Sequence, residues 1–179
     1  MSISANLVIR NESNRLQKLL PILREQVDEI VVVDQESTDD SLTIAKDFGC
    51  ITLSDTATGF ADTSRELARQ NSSSDWIICL DADEFITNRL AEDFSLIYGW
   101  GAISAVYLCE AILRVKSLDE LPTETILTLG HDLRGLPHIS LRKARIFLNN
   151  KDAVVWPTEV HTEILPAIET GLQGFGIQL

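Results

Sequence analysis

Two unbroken apolar runs end in carboxylates, and this pairing constrains the chain more than any other feature. One reads Val31-Val32-Val33-Asp34-Gln35-Glu36-Ser37-Thr38-Asp39-Asp40; the other reads Trp76-Ile77-Ile78-Cys79-Leu80-Asp81-Ala82-Asp83-Glu84. Apolar runs with no polar alternation are the habit of strands covered on both faces, as in parallel sheets. In such sheets the carboxyl ends of the strands form the ligand crevice. Both acidic clusters are therefore expected along one sheet edge. Carboxylates brought that close repel one another unless a cation or a set of donors compensates them. The pattern points to a site taking a divalent metal with a phosphorylated ligand.

The surrounding sequence alternates between strand and helix signals. Residues 3–9 read as a strand, and Asn11, Glu12 and Ser13 open a helix carrying Leu16, Leu19, Leu20 and Leu23 on one face. Pro21, inside that pattern, is expected to kink or interrupt the helix. Residues 27–33 form the second expected strand. Ser37, Thr38, Asp39 and Asp40 suit a helix N-terminus, with Leu42, Ala45 and Phe48 buried and Gly49 as the stop. A short strand at 50–53, a helix at 61–69 and a strand at 76–80 complete a βαβαβαβ order. That order implies right-handed crossovers and a mostly parallel α/β sheet flanked by helices. Beyond residue 100, apolar stretches at 102–115, 139–148 and 153–155 are separated by a loop rich in Pro, Gly and Thr. They are expected to add mixed or antiparallel strands.

No repeat and no linker divides the chain, so residues 1–179 are expected to form a single domain. At 45% apolar and 23% charged residues it has the composition of a soluble globular protein. A net charge of −12 disfavours nucleic acid and anionic lipid, both of which need Lys and Arg. Cys50, Cys79 and Cys109 show neither metal-ligand spacing nor an even count, which reads as buried free thiols in a reducing compartment. The first residues lack a basic segment leading into an apolar one, and no stretch reaches membrane-spanning length. A cytoplasmic address with no integral membrane segment is expected.

Several residues are candidates for the chemistry. Asp81 and Asp83 stand two apart, which on an extended backbone places both on one side, able to hold a hard cation and a ribose or phosphate. Asp34 either caps or closes a turn, or faces the ligand crevice. Ser37, Thr38 and Asp39 either cap the next helix or begin an anion-binding terminus. Arg65 is either a solvated helix residue or a phosphate clamp. His161 is either structural or a metal or diphosphate contact. His131 and His138 carry no pattern.

Taken together, Val31-Val32-Val33-Asp34-x-x-Ser37-Thr38-Asp39, the Asn11-Glu12 step and Leu80-Asp81-Ala82-Asp83-Glu84 resemble the family 2 glycosyltransferases of the GT-A fold. The bacterial lipopolysaccharide-core group, with its later Val-His-Glu segment, is the nearest flavour. The resemblance is specific over residues 3–90 and weaker over 140–165. It implies a nucleotide-sugar donor, usually a UDP sugar, bound with Mg2+ or Mn2+ and transferred with inversion. Residues 1–100 would be the nucleotide-sugar-binding half and 101–179 the acceptor-side half. The acceptor would be a glycan, lipid-linked or protein hydroxyl of the kind used in cell envelope polysaccharide.

Carried over by position, Asn11 and Glu12 line the nucleoside pocket, Asp34 accepts from the base, and Ser37 and Asp39 belong to the same pocket. Asp81 lies near the ribose, and Asp83 coordinates the metal. His161 would be a second metal contact and Arg65 a donor contact. The sequence departs from the family at Glu66, where Asn usually follows the Arg, and at Thr162, inserted between His161 and Glu163. It also ends where relatives continue, so the acceptor side is expected to be truncated or degenerate. For the catalytic base, Glu163 is preferred over Glu110 and Asp132. Three rival readings compete with this one. A nucleotidyltransferase would need a Gly-rich basic loop after the first strand, and an Asp-nucleophile phosphatase would carry its Asp-x-Asp on the first strand. A non-catalytic sugar-nucleotide binder of the same fold is the third.

Overall fold

β1 (Ile3–Ile9) occupies the middle of the region that matters, parallel to β2 (Glu29–Asp34) on one side and β4 (Trp76–Leu80) on the other. The computed structural model describes residues 2–57, 62–86, 106–114, 124–128 and 138–149. Between the strands run α1 (Ser13–Arg24), α2 (Ser41–Asp47) and α3 (Asp62–Gln70), with β3 (Ile51–Ser54) between the last two. β5 (Glu84–Ile86), β6 (Val106–Arg114), β7 (Glu124–Thr128) and β8 (His138–Leu148) follow. The eight strands form one sheet in the order β3-β2-β1-β4-β8-β6-β7-β5. The first four are mutually parallel. β8 pairs antiparallel with β4 and β6, β6 antiparallel with β7, and β5 parallel with β7. This is the mostly parallel α/β sheet with added antiparallel strands that the sequence leads one to expect.

Alternation along the central strands divides the core between two faces. Ile3, Ala5, Leu7 and Ile9 of β1 join Ile30 and Val32 of β2 and Ile78 and Leu80 of β4 in a cluster closed by Leu16, Leu19, Leu20 and Leu23 of α1. Cutting one of those leucines to Ala would cost about 2–5 kcal/mol through lost burial and the cavity left behind. On the other face Val31 and Val33 pack against Ala68 of α3, with Val8, Leu53 and Leu67 around them. That face also encloses Arg69, whose Nε and Nη2 donate to both oxygens of Glu66 at 2.8 and 2.7 Å. Because an unpaired buried cation is costly, Glu66 has a structural occupation of its own.

Some local expectations are corrected. Pro21 does not interrupt α1, which runs unbroken from Ser13 to Arg24. Pro21 and Gln17, whose carbonyl loses its donor, both lie on the exposed side, where water can satisfy the freed group. α2 starts at Ser41 with Asp40 as its N-cap residue, so the Ser37–Asp40 cluster does lead into a helix N-terminus. It ends as expected at Gly49, whose φ of +69° suits glycine; a Cβ there would meet Arg24 Nη2 at 3.3 Å. β7 lies in the stretch read as loop, and β5 was not anticipated. The 153–155 stretch lies outside the described residues.

Cys50 and Cys79 are free thiols, the first partly and the second fully buried, and burial pushes the Cys50 thiol up to about 11. Such a thiol is inert at neutral pH. Among the described residues no helix is long and apolar enough to cross a membrane.

Candidate functional site

The parallel register brings both acidic clusters to the same sheet edge. Ile9 pairs with Asp34, and Leu7 with Leu80, so β1 and β2 end level and β4 ends two residues short of them at the same edge. With β1 between them, the ends of β2 and β4 stand two strand spacings apart, about 10 Å. Into that edge come Asp34, Asn11 and Glu12, and Asp81 to Asp83.

Asp34, the last residue of β2, is only 4% exposed. Its Oδ2 accepts the Ser37 N–H at 3.2 Å, and its carbonyl accepts the Asp55 N–H at 3.0 Å. Its Oδ1 is buried with no hydrogen-bond partner among the described residues. Asp34 thus closes the turn that the sequence allowed and still holds one acceptor in reserve. A buried carboxylate oxygen left without a donor is costly, and such atoms mark strain, a ligand or an ordered water.

Asn11, Glu12, Ser37 and Asp39 lock the β1–α1 loop to the β2–α2 loop. The Asn11 N–H donates to Ser37 Oγ at 2.9 Å, and Asn11 Oδ1 accepts the Thr38 N–H at 2.7 Å. The Glu12 N–H donates to Ser41 Oγ at 2.7 Å, and the Ser13 N–H to Asp39 Oδ2 at 3.1 Å. Asp39 Oδ1 accepts from both the hydroxyl and the N–H of Ser41. The Ser41 hydroxyl, first among these donors, holds the Asp39 carboxyl down at about 2. Asp39 therefore caps Ser41 as well as bridging the loops. At seven residues, α2 offers no anion site of its own.

Two non-glycine residues at this edge adopt the left-handed conformation, Asn11 at φ 57° and Glu36 at φ 56°. Asn tolerates that region better than Glu does. Glu36 Oε2 accepts the Ala57 N–H at 3.3 Å, tying the segment after β3 to the end of β2. A second tie runs through buried Gln35, whose Nε2 donates to Ser64 Oγ at 2.7 Å; that hydroxyl donates on to Asp55 Oδ2 at 2.8 Å.

At the end of β4 the chain turns instead of staying extended, because the Glu84 N–H bonds the Asp81 carbonyl at 2.9 Å. Asp81 and Asp83 are consequently not a same-face pair. Asp81 is engaged by Arg65, Nη2 to Oδ1 at 2.5 Å. Arg65 is 7% exposed, so it is no solvated helix residue. Asp83 is half-buried and forms no hydrogen bond among the described residues, leaving its carboxylate available. Glu84, at 1% exposure, accepts the Asp81 N–H at 3.0 Å and so shapes the turn that presents both aspartates.

Glu84, Ser41 and the Gln35–Ser64–Asp55 chain were not singled out from the sequence. Only the third carboxylate after Leu80 hinted at Glu84. His161, Glu163 and Asp132 lie outside the described residues. Glu110 falls in β6, in register with Thr128 of β7 and Arg142 of β8.

The donor set can be tested against a divalent ion. Among the described residues no three His, Cys, Asp or Glu side chains group as metal ligands. A protein cage for Ca2+ or Zn2+ is thus not built there. Mg2+ and Mn2+ need only one or two carboxylates when phosphate oxygens and waters complete the shell. The uncommitted Asp83 fits that requirement.

Comparison with known proteins agrees with the geometry. Residues 4–95 match the model of glycosyl transferase family 2. An uncharacterized glycosyltransferase of Rickettsia felis is 32% identical over 96 residues, covering 54% of this chain and 34% of that protein. A counterpart from Rickettsia conorii is 31% identical over the same length. The chain thus spans about one third of the length of these relatives. Among solved structures, S. aureus TarS 1–349 superposes with a TM-score of 0.63 at 17% identity, covering 98% of this chain and 55% of that one. The same protein in complex with UDP-GlcNAc gives 0.51 at 22% identity over 76% of this chain and 37% of that one. These likenesses establish the GT-A fold.

Proposed function

The chain belongs to glycosyl transferase family 2, and on that premise we propose that it transfers a sugar from a nucleoside diphosphate sugar to an acceptor hydroxyl with inversion. Residues 1–100 form the donor-binding half and 101–179 the acceptor side, the acceptor being a glycan, lipid-linked or protein hydroxyl. The observation that carries this reading is the reserved Oδ1 of Asp34 at the carboxyl edge of a parallel sheet. Oδ1 is the oxygen left to accept an N–H from a ligand, while Oδ2 already accepts one from Ser37.

That arithmetic favours uridine over guanosine. The uracil edge presents a single N–H between two carbonyls. The guanine edge presents two adjacent donors, which suit a carboxylate with both oxygens free. Asn11, Glu12, Ser37 and Asp39 then wall the nucleoside pocket through their loop-to-loop bonds, and Asp81, steadied by Arg65, stands toward the ribose.

In the transfer the acceptor oxygen bonds to the anomeric carbon from the face opposite the diphosphate, and the bond from that carbon to the diphosphate oxygen breaks. A carboxylate, assigned to Glu163, takes the hydroxyl proton. Asp83 would hold Mg2+ or Mn2+, with His161 as a second contact. When bound, such an ion offsets the negative charge building on the leaving diphosphate. Arg65 keeps Asp81 from adding its full repulsion to that charge.

Calorimetric titration with UDP and GDP, each with and without Mn2+, tests the proposal. UDP is expected to bind in the presence of Mn2+, with GDP weaker. Affinity indifferent to the metal, or no affinity for either nucleotide, would overturn it. Incubation with a panel of nucleotide sugars should then show slow donor hydrolysis for the matching sugar.

A further inference from the structure

β2 and β4 do not pair, because β1 lies between them, yet their two acidic ends must keep a set separation for one ligand to touch both. The first turn of α3, a helix that packs over β1 and β2, makes the crossing. Adjacent helix residues point about 100° apart, so Ser64 and Arg65 reach different neighbours from one turn. Ser64 reaches the end of β2. Its hydroxyl accepts from Gln35 Nε2 at 2.7 Å and donates to Asp55 Oδ2 at 2.8 Å. Asp55 donates its N–H to the Asp34 carbonyl at 3.0 Å, which closes a ring through β2, the segment after β3 and α3. Arg65 reaches the other way, Nη2 to Asp81 Oδ1 at 2.5 Å. Ser64, Gln35 and Arg65 are all buried, so water competes little for these bonds.

We propose that Ser64 is a positioning residue of the donor site: bonded to Gln35 and Asp55 beside Asp34, it sets where the adjoining Arg65 holds Asp81, and so fixes the spacing between the base end and the diphosphate end. This rests on the donor-site reading above and deepens it. A base held at Asp34 and a metal-bound diphosphate held at Asp83 are two contacts of one ligand. Two linked contacts reinforce each other only where their spacing is stiff and matches the ligand, because a loose spacing dilutes the second contact. Ordering that spacing before the ligand arrives also removes a cost from binding. Ser64 touches no part of the ligand in this account. It acts through Arg65 on one side and through Gln35 and Asp55 on the other.

The test is calorimetry on the wild type and Ser64→Ala with uridine, with UDP alone and with UDP plus Mn2+. The quantity read is the factor by which Mn2+ tightens UDP. Ser64→Ala is expected to cut that factor at least about fivefold, the low end of ordinary coupling between sites. Uridine engages the base end alone and should bind nearly as it does to the wild type. Gln35→Met, close in size but without the amide donor, opens the same ring from its other side. It should lower the factor in the same direction, which keeps the test decisive where Ser64→Ala fails to fold. A purely structural ring would lower the melting temperature and weaken uridine, UDP and UDP with Mn2+ in equal measure. The factor would then stand unchanged, and the proposal would be overturned. A wild type that binds no UDP, or binds it without regard to Mn2+, would instead sink the donor-site reading. Urea unfolding of Ser64→Ala, Asp81→Asn and the double variant then decides whether the two ends are braced. Losses smaller together than in sum support the brace, and strictly additive losses overturn it.

Discussion

Arg65 on α3 and Asp81 beyond β4 stand sixteen residues apart and meet with Nη2 2.5 Å from Oδ1. The contact joins the helix covering one sheet face to the turn at the carboxyl edge. Arg65 is almost wholly buried, whereas the Asp81 side chain is about a third exposed, at 36%. The arginine thus ties the sheet's interior to a partly exposed carboxylate at the carboxyl edge. Arg65→Ala strands Asp81 beside Asp83 and removes packed methylenes. Partial exposure of Asp81 softens the loss, so about 1–3 kcal/mol of stability should go, read from urea unfolding. Arg65→Lys keeps the charge without the planar fork and should lose less.

For Asp34 the discriminating change is nearly isosteric. Asp34→Asn can keep an oxygen toward the Ser37 N–H, placing an amide donor where the reserved acceptor stood. A donor facing a ligand N–H cannot bond it, and bonds to charged acceptors are worth about 1.5–3 kcal/mol. UDP affinity should fall at least about tenfold with the circular dichroism spectrum unchanged. Undiminished UDP binding would remove Asp34 from the nucleoside pocket.

Much of this edge was legible because burial writes plainly in sequence. β1, β2 and β4 are covered on both faces, so Val31 to Val33 and Trp76 to Leu80 carry no polar alternation, and a chain leaving such strands must emerge at the carboxyl edge. The roles of single side chains were less legible. Arg65 looks like any helix arginine until α3 folds back over the sheet. Asp81 and Asp83 look like a pair until the Glu84 N–H turns the chain between them. β7, with Thr at two of its five positions, lacks the apolar run that marks a buried strand, and β5 is too short to show a period. That Pro21 leaves α1 uninterrupted is not legible in sequence, because the exposure of Gln17, four residues back, is a tertiary fact.

Acid should loosen the loop clamp through Asp39. Its pKa drops from 3.8 in the unfolded chain to about 2 in the folded one, chiefly because the Ser41 hydroxyl donates to the charged form. A depressed folded pKa means that the ionised form is favoured by folding. The contribution is therefore complete above about pH 4 and is lost as pH falls toward about 2. Melting temperatures measured between pH 5 and pH 2 should decline less steeply for Asp39→Asn than for the wild type. Parallel curves would show that Asp39 contributes nothing to the acid limb.

Glu36 keeps a left-handed backbone that glycine would adopt freely, at a strain of about 1 kcal/mol or more. Glu36→Gly relieves it but frees the Ala57 N–H and with it one tie on the segment after β3. Stability is expected to stay within about 1 kcal/mol of the wild type, since the added backbone entropy of glycine opposes the relief. Nucleotide affinity should weaken as that segment loosens. Lower stability with unaltered affinity would assign Glu36 to the fold instead of the pocket.

Asp83 offers the sharpest separation of fold from chemistry. Its carboxylate makes no hydrogen bond among the described residues and is half-buried, so Asp83→Asn removes a charge without stranding a donor. The melting temperature should therefore hold, and relief of repulsion from Asp81 could raise it slightly. An amide oxygen is a far weaker ligand for a hard cation than a carboxylate. If Asp83 holds the ion, the variant should bind UDP equally with and without Mn2+, at the weak level of the metal-free wild type. Glu84→Gln provides the contrast, because Glu84 shapes the turn from within and its loss should cost stability as well as affinity. Should Asp83→Asn retain the full Mn2+ response of the wild type, the ion is held elsewhere and Asp83 is only a neighbour of the site.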